Sequence, residues 1–411
     1  MSLCGRRCVV LSVFLVLLNV SPAAAQEMTE ADALRRFERE NAQARALSAR
    51  VRVVRAETHA WSLPPNPAAT YTREDAAGVQ DSFLVLQQTV PLSGRLGLLR
   101  RAGSSAVAAA EAEAAYALLQ LRSDFRTAFY GLLLAQQRMV LLEAWVPQLK
   151  EIVRILQERE REGEGSKFDR LRAERELADA EATLASAQVI LAQARARLAS
   201  FFRQGTDAAS LVVKGDFDAA TPLPALEELV KRTLAVRGDY LASQRQLERF
   251  GFERSAAGRL RIPEPILSAG LKRTTVPGRA DNGYAVSVTV PIPLFNRGQA
   301  DAERALAAQE QTESVMAARR QLIETEVRAA YETVRLRRRI AQEYARELGE
   351  KGVELSQIGR LAYEEGEQGI LELLDAYRVA LFSRLQAIEL AGSAKQAEID
   401  LNRAVGEEVL P

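Results

Sequence analysis

Reactive side chains are scarce in this sequence of 411 residues. Its only cysteines are Cys4 and Cys8, and its only histidine is His59. Disulfide scaffolds, zinc fingers and cysteine nucleophiles are therefore excluded, and histidine-based catalysis would rest on His59 alone. No metal or cofactor site is expected, because His59 has no second histidine or nearby thiol to share a ligand set. Neither sign of charge dominates: 55 Lys+Arg against 54 Asp+Glu leave a net of +1, which excludes a strongly basic nucleic-acid binder. Proline is missing from residues 294 to 410, a run of 117 that points to very long helices. Apolar residues make up 47%, so the chain is not of the disordered class.

The first segment is an address. Arg6 and Arg7 precede an apolar stretch at 9–18, and three alanines at 23–25 supply a small-residue cleavage site. Residues 1–25 are thus expected to be a signal peptide, with the mature chain starting at Gln26. The apolar stretch is too short to span a bilayer, and no later segment reads as a membrane-spanning helix. Any membrane insertion by the mature chain must then use strands.

The remainder is one pattern written twice. Gly163-Glu164-Gly165-Ser166-Lys167-Phe168-Asp169 matches Gly366-Glu367-Gln368-Gly369-Ile370-Leu371-Glu372 at an offset of 203. Upstream, Val90-Pro91-Leu92 before Gly94-Arg95 parallels Ile292-Pro293-Leu294 before Arg297-Gly298. Between these marks apolar residues step by 4 and 3, the heptad of a helix that packs along a neighbour. The first seam runs Leu121, Phe125, Ala128, Leu132, Ala135, Met139, Leu142 and Val146; the second runs Ile323, Val327, Ala330 and Val334, then meets Arg337. Each repeat reads as a long helix, a glycine turn and a helix running back. Residues 297–360 alone would reach roughly 95 Å at about 1.5 Å per residue, and Pro147 is expected to kink the first long helix.

Each repeat also opens with strand-like sequence. Tyr284, Val286, Val288 and Val290 alternate with small or polar residues at period 2. Residues 266–274 precede them across a turn-rich loop at 276–283. The earlier counterpart is 68–73, a loop around Gly78, then 83–90. Four strands per chain cannot close a barrel, because lipid tolerates no open edge, so several chains would have to share one. Trp61, Tyr71 and Tyr284 are candidates for an interfacial aromatic belt.

Together these features resemble the TolC-type outer membrane factor family over residues 29–406. The closest likeness lies in Tyr363-Glu364-Glu365-Gly366-Glu367-Gln368-Gly369-Ile370-Leu371-Glu372-Leu373-Leu374-Asp375-Ala376, which is similar to that family's helix-turn-helix at the periplasmic tip. The stretch Val290-Pro291-Ile292-Pro293-Leu294-Phe295-Asn296-Arg297-Gly298 resembles its strand-to-helix junction, particularly in the CzcC-like heavy-metal-efflux branch. The resemblance implies a mainly α fold of two tandem helical hairpins, with four strands contributing to a twelve-strand barrel in a homotrimer. It divides the chain into a first repeat at 26–206, an equatorial segment and linking helix at 207–256, and a second repeat at 257–411. It implies a passive outer-membrane exit duct, not an enzyme, extending into the periplasm and docking with an adaptor and an inner-membrane transporter. By the same resemblance Glu372 and Asp375 form acidic gating rings, while Gly163, Asp169, Tyr363, Gly366 and Gln368 make tip contacts. Gln368 stands where some relatives carry an arginine. The alternatives are a duct for type I protein secretion and a soluble periplasmic coiled-coil adaptor.

Overall fold

The computed structural model describes residues 27–217, 221–348 and 351–410; the signal-peptide segment lies outside them. Strand β1 (Glu27–Met28) leads into helices α1 (Glu30–Glu40) and α2 (Ala42–Ala60), then the hairpin β2 (Ala68–Ala76) and β3 (Val79–Thr89). The first long helical hairpin is α3 (Arg95–Arg161) and α4 (Lys167–Ala199). A short strand β4 (Val212–Val213), paired with β1, and helices α5 (Leu226–Val236) and α6 (Gly238–Gly258) lead to the second hairpin, β5 (Ile266–Val276) and β6 (Arg279–Thr289). Helices α7 (Gln299–Leu348), α8 (Lys351–Glu364) and α9 (Ile370–Val405) follow.

The heptad seams are the core. Phe125, Ala128, Leu132, Ala135, Met139, Leu142 and Val146 are all buried, as are Ile323, Val327 and Val334. Alanines 173, 180 and 187 face them from α4, so small residues let the backbones approach. At 67 residues α3 extends about 100 Å at the usual rise. It continues through Pro147, which removes one backbone bond without ending the helix. The stretch expected as one helix at 297–360 is helical as α7 and α8 on either side of residues 349 and 350, which lie outside the described residues.

The sheet runs in the order β2-β3-β5-β6, antiparallel throughout. Its hairpins are tighter and its strands longer than expected. Ala76 pairs with Val79 across Ala77-Gly78, and Val276 pairs with Arg279 across Pro277-Gly278. The loop read at 276–283 is thus a two-residue turn, because proline presets the first position and Gly278, at φ +84°, accepts the second. Polar residues 279–283, read as loop, carry on the ladder.

Helices continue the strands in the same lateral order. Gly103 of α3 packs on Thr58 of α2, and Gly238 of α6 packs on Ala112 and Tyr116 of α3. Arg319 of α7 in turn reaches the carbonyl of Asp239 in α6 at 2.6 Å. Below them α4 and α9 flank α3, and α7 and α8 lie on the far side of α9. The strands and long helices therefore form a ribbon with β2, α2 and α4 along one border and β6, α7 and α8 along the other, and α1 and α5 pack onto it at mid-length. At mid-length Arg237 fastens it, bonding Glu326 at 2.7 Å, Tyr116 at 2.9 Å and the Ala404 carbonyl at 2.9 Å.

Candidate functional site

Directly opposed residues of antiparallel strands share a face, so the register sorts the sheet into two. One face carries Tyr71, Leu84, Leu86, Leu267, Leu271, Tyr284, Val286 and Val288. These apolar side chains are uncovered: Leu271 is 68%, Val286 71% and Tyr284 84% exposed. The other face carries Thr70, Thr72, Asp81, Lys272, Ser287 and Thr289 with Phe83 and Val85 among them, and Lys272 and Asp81 pair at 2.9 Å. An apolar exterior and a polar interior are what a wall between lipid and water needs. Strands of 9 to 11 residues match the length a tilted strand needs to cross a bilayer. Among the described residues no helix is long and apolar enough to cross a membrane. Tyr71 and Tyr284 stand on the apolar face as the belt reading expects. Trp61 does not: it caps α2, 5.1 Å from the guanidinium of Arg249 on α6.

At the opposite end of the ribbon lie the two helical tips. Gly163 and Gly366 both adopt left-handed backbone, at φ +78° and +77°. In each tip the glycine N–H and the next one bond back to the helix: Gly163 to Glu160 and Glu164 to Arg159, Gly366 to Tyr363 and Glu367 to Ala362. That is the Schellman closure of a helix end, and it favours glycine because other residues disfavour positive φ. The Gln368 N–H also reaches the Ala362 carbonyl, at 3.1 Å, and its side chain is exposed.

The two tips lean on one another. Trp145, Val146, Leu149, Val153 and Leu156 of α3 form one apolar cluster with Ile370, Leu373 and Leu374 of α9, and Tyr363 and Tyr377 pack against it. The Tyr363 hydroxyl accepts from Arg159 at 3.2 Å, so it ties α8 to α3 within one chain. Asp169 sits half-exposed in the first turn of α4 and makes no ion pair among the described residues. Beside Pro147 a cleft of about 430 Å³ opens between α3 and the second tip, lined by Ile152, Arg360, Tyr363, Leu373 and Tyr377.

Glu372 and Asp375 both lie exposed on α9, on the face turned from that cluster. They differ in electrostatic setting. Asp375 accepts from Arg378 at 2.6 Å, which offsets its charge, whereas Glu372 has no cationic partner among the described residues. The same spacing of three that sets Glu372 and Asp375 on one face also brings Arg378 onto Asp375.

Two ionic groups escaped the sequence reading. In the first tip Arg170 bridges Glu160 and Glu174, the latter at 2.7 Å, and Gln157 donates to Glu174 at 3.0 Å. These bonds hold the Glu174 carboxyl below the ordinary glutamate value of 4.5. At mid-length Glu398 is wholly buried between Arg338, at 2.6 Å, and Lys395, at 3.2 Å, while Arg338 also donates to the Thr221 carbonyl. The seam position Arg337 had flagged a break in apolarity; its neighbour Arg338 is the one that turns inward. No cluster of three metal-ligating side chains exists among the described residues, and His59 lies on the last turn of α2 beside Arg52, Arg55 and Arg100.

Comparison with known proteins places these features. Residues 229–407 match the family described as outer membrane efflux protein. The cobalt-zinc-cadmium resistance protein CzcC of Cupriavidus metallidurans is 24% identical over 347 residues, 83% of this chain and 81% of that protein. A membrane protein from Pseudomonas aeruginosa has the same fold, with TM-score 0.75 at 21% identity over 91% of this chain and 92% of its own. So does the outer membrane protein VceC from Vibrio cholerae, with TM-score 0.73 at 18% identity over 91% and 95%.

Proposed function

This chain belongs to the TolC-type outer membrane efflux protein family, and we propose that three copies close its ribbon into one exit duct through the outer membrane. It is a passive channel, not an enzyme, reaching from the outer membrane into the periplasm. Outer membrane efflux channels of this kind are trimers that work with a periplasmic adaptor and an inner-membrane transporter. Four strands per copy, taken three times, make a twelve-strand wall with its apolar face toward lipid. The observation that carries this reading is the sheet itself, apolar on one side and unpaired at both borders. Such a sheet is not stable in water and needs both a neighbour and a bilayer. A soluble adaptor would have no use for that face.

The gate of the duct is the second tip. Glu372 supplies the stronger ring of negative charge at the periplasmic mouth, and Asp375 a weaker one, offset by Arg378. Such rings attract cations and repel anions at a constriction. Opening is a sliding of α8 and α9 over the α3 cluster, a change of packing without covalent chemistry. Gly163 and Gly366 fix the turns, while Tyr363, Asp169 and Gln368 lie at contacts between tips. Divalent metal cations are the cargo we favour, because CzcC, whose name records resistance to cobalt, zinc and cadmium, is similar along most of the chain. Single-channel recording in planar bilayers tests the duct and its gate together. The wild type is expected to conduct in discrete steps, and replacing both Glu372 and Asp375 by alanine to raise conductance and weaken cation preference. Absence of any channel would overturn the duct, and unchanged selectivity in the variant would overturn the gate.

A further inference from the structure

Toward the hairpin turns, the lipid-facing side of the sheet changes character within a single step. One cross-strand row reads Tyr71, Leu84, Leu271 and Tyr284; the next row outward reads Arg73, Ser82, Arg273 and Asn282. Arg73 and Arg273 therefore flank Ser82 on the same face, two strand spacings or roughly 10 Å apart. Both are exposed, and neither has a hydrogen bond or ion pair among the described residues. One carboxylate shares their face, Asp75, two residues beyond Arg73, and it accepts from Gln80 at 3.3 Å. The other charges of this region point to the opposite face, where Lys272 pairs with Asp81 and Arg279 with Asp281. At the helix end of the same face the corresponding row is Gln88, Leu267 and Val288, without a cation. The cationic pair thus belongs to one rim only, the rim away from the periplasmic helices.

Tyrosines on such a wall sit at headgroup level, so a cation one row farther out lies at the depth of lipid phosphates. A guanidinium binds phosphate through two parallel hydrogen bonds, and is less strongly hydrated than an ammonium. Two unpaired guanidinium groups about 10 Å apart and turned to lipid suit a headgroup that carries more than one phosphate. We propose that Arg73 and Arg273 clamp the phosphates of a phosphorylated glycolipid in the outer leaflet of the membrane. This site rests on the channel reading, since insertion alone brings that face to lipid.

The test uses the purified channel reconstituted into vesicles containing bisphosphorylated lipid A, or lipid A stripped of phosphate, with flotation reporting insertion. The channel is then re-extracted, and the lipid retained by each variant is measured by mass spectrometry. Wild type is expected to retain the phosphorylated form preferentially. The double variant Arg73→Ser/Arg273→Ser should lose retention roughly tenfold or more, because it removes both charge-assisted contacts to phosphate. Arg73→Lys/Arg273→Lys should keep part of it, and Arg279→Ser, on the opposite face, all of it. Equal retention by the double-serine variant, equal retention of the stripped lipid, or full displacement by millimolar inorganic phosphate would overturn the clamp while leaving the channel intact. Failure of the wild type to float with vesicles would overturn both.

Discussion

At the turn after α3 and the turn after α8, 203 residues apart, the same two backbone bonds close around a left-handed glycine. What surrounds those turns is not the same. Glu160, Arg170 and Glu174 form an ionic bridge in the first, and the positions 203 residues on are Tyr363, Leu373 and Tyr377, which join the apolar cluster of the second. Asp169 and Arg172 likewise become Glu372 and Asp375. Duplication has kept the backbone, and the side chains have diverged. An ionic bridge is directional and holds its helices in one register. An apolar contact keeps most of its energy as the surfaces slide, which is what a gate requires. We therefore read the first tip as the fixed jamb and the second as the door.

The largest expected effect is on the door. Leu373→Ala should destabilise α8 and α9 locally by about 2–4 kcal/mol, as other buried leucines do, and raise their amide hydrogen exchange. Arg170→Leu in the jamb should cost clearly less, because a solvent-accessible ion pair contributes little; equal losses would show that the tips are equivalent. Next, transplanting the door's residues as Glu160→Tyr, Arg170→Leu and Glu174→Tyr should abolish the jamb's response to salt. Exchange at α3 and α4 would then be the same in low salt and at 1 M, where charges are screened beyond about 3 Å. A third effect is pH dependence. The Glu174 carboxyl titrates lower in the folded tip than the usual 4.5, so its contribution is complete above that pH and is lost as acid protonates it. The jamb should loosen below about pH 4.5 more than the door, where Tyr363 and Tyr377 stand at the positions of Glu160 and Glu174, as exchange measured across that range would report. The smallest effect separates the two acids proposed for the gate. Glu372→Gln should reduce cation over anion permeability more than Asp375→Asn, since Arg378 already offsets the aspartate.

Much of this architecture was legible from spacing alone. The 4-3 seam named the buried face of α3 residue by residue, because a periodic apolar stripe has one way to leave water. The turn glycines were visible because backbone with positive φ restricts residue choice. The strand ends were not: residues 279–283 combine polar side chains with a glycine, and that composition mimics a loop. The ionic bridge at Arg170 was hidden for another reason. Its partners lie ten positions before and four after it, a grouping made only when a helix doubles back. Glu398 was missed similarly, since burial of a carboxylate depends on Arg338 and Lys395 arriving from two helices at once.

The lateral borders of the ribbon are unlike: β2, α2 and α4 on one side, β6, α7 and α8 on the other. Copies that close into a ring must therefore join head to tail, one border of each against the other border of the next. For such contacts the number of subunits in a ring follows from the rotation each junction imposes, and a junction that rotates too little gives an open chain instead of a closed circle. Substitutions that flatten or sharpen the junction between α7 and its neighbour would thus alter stoichiometry before they altered the fold of any one subunit.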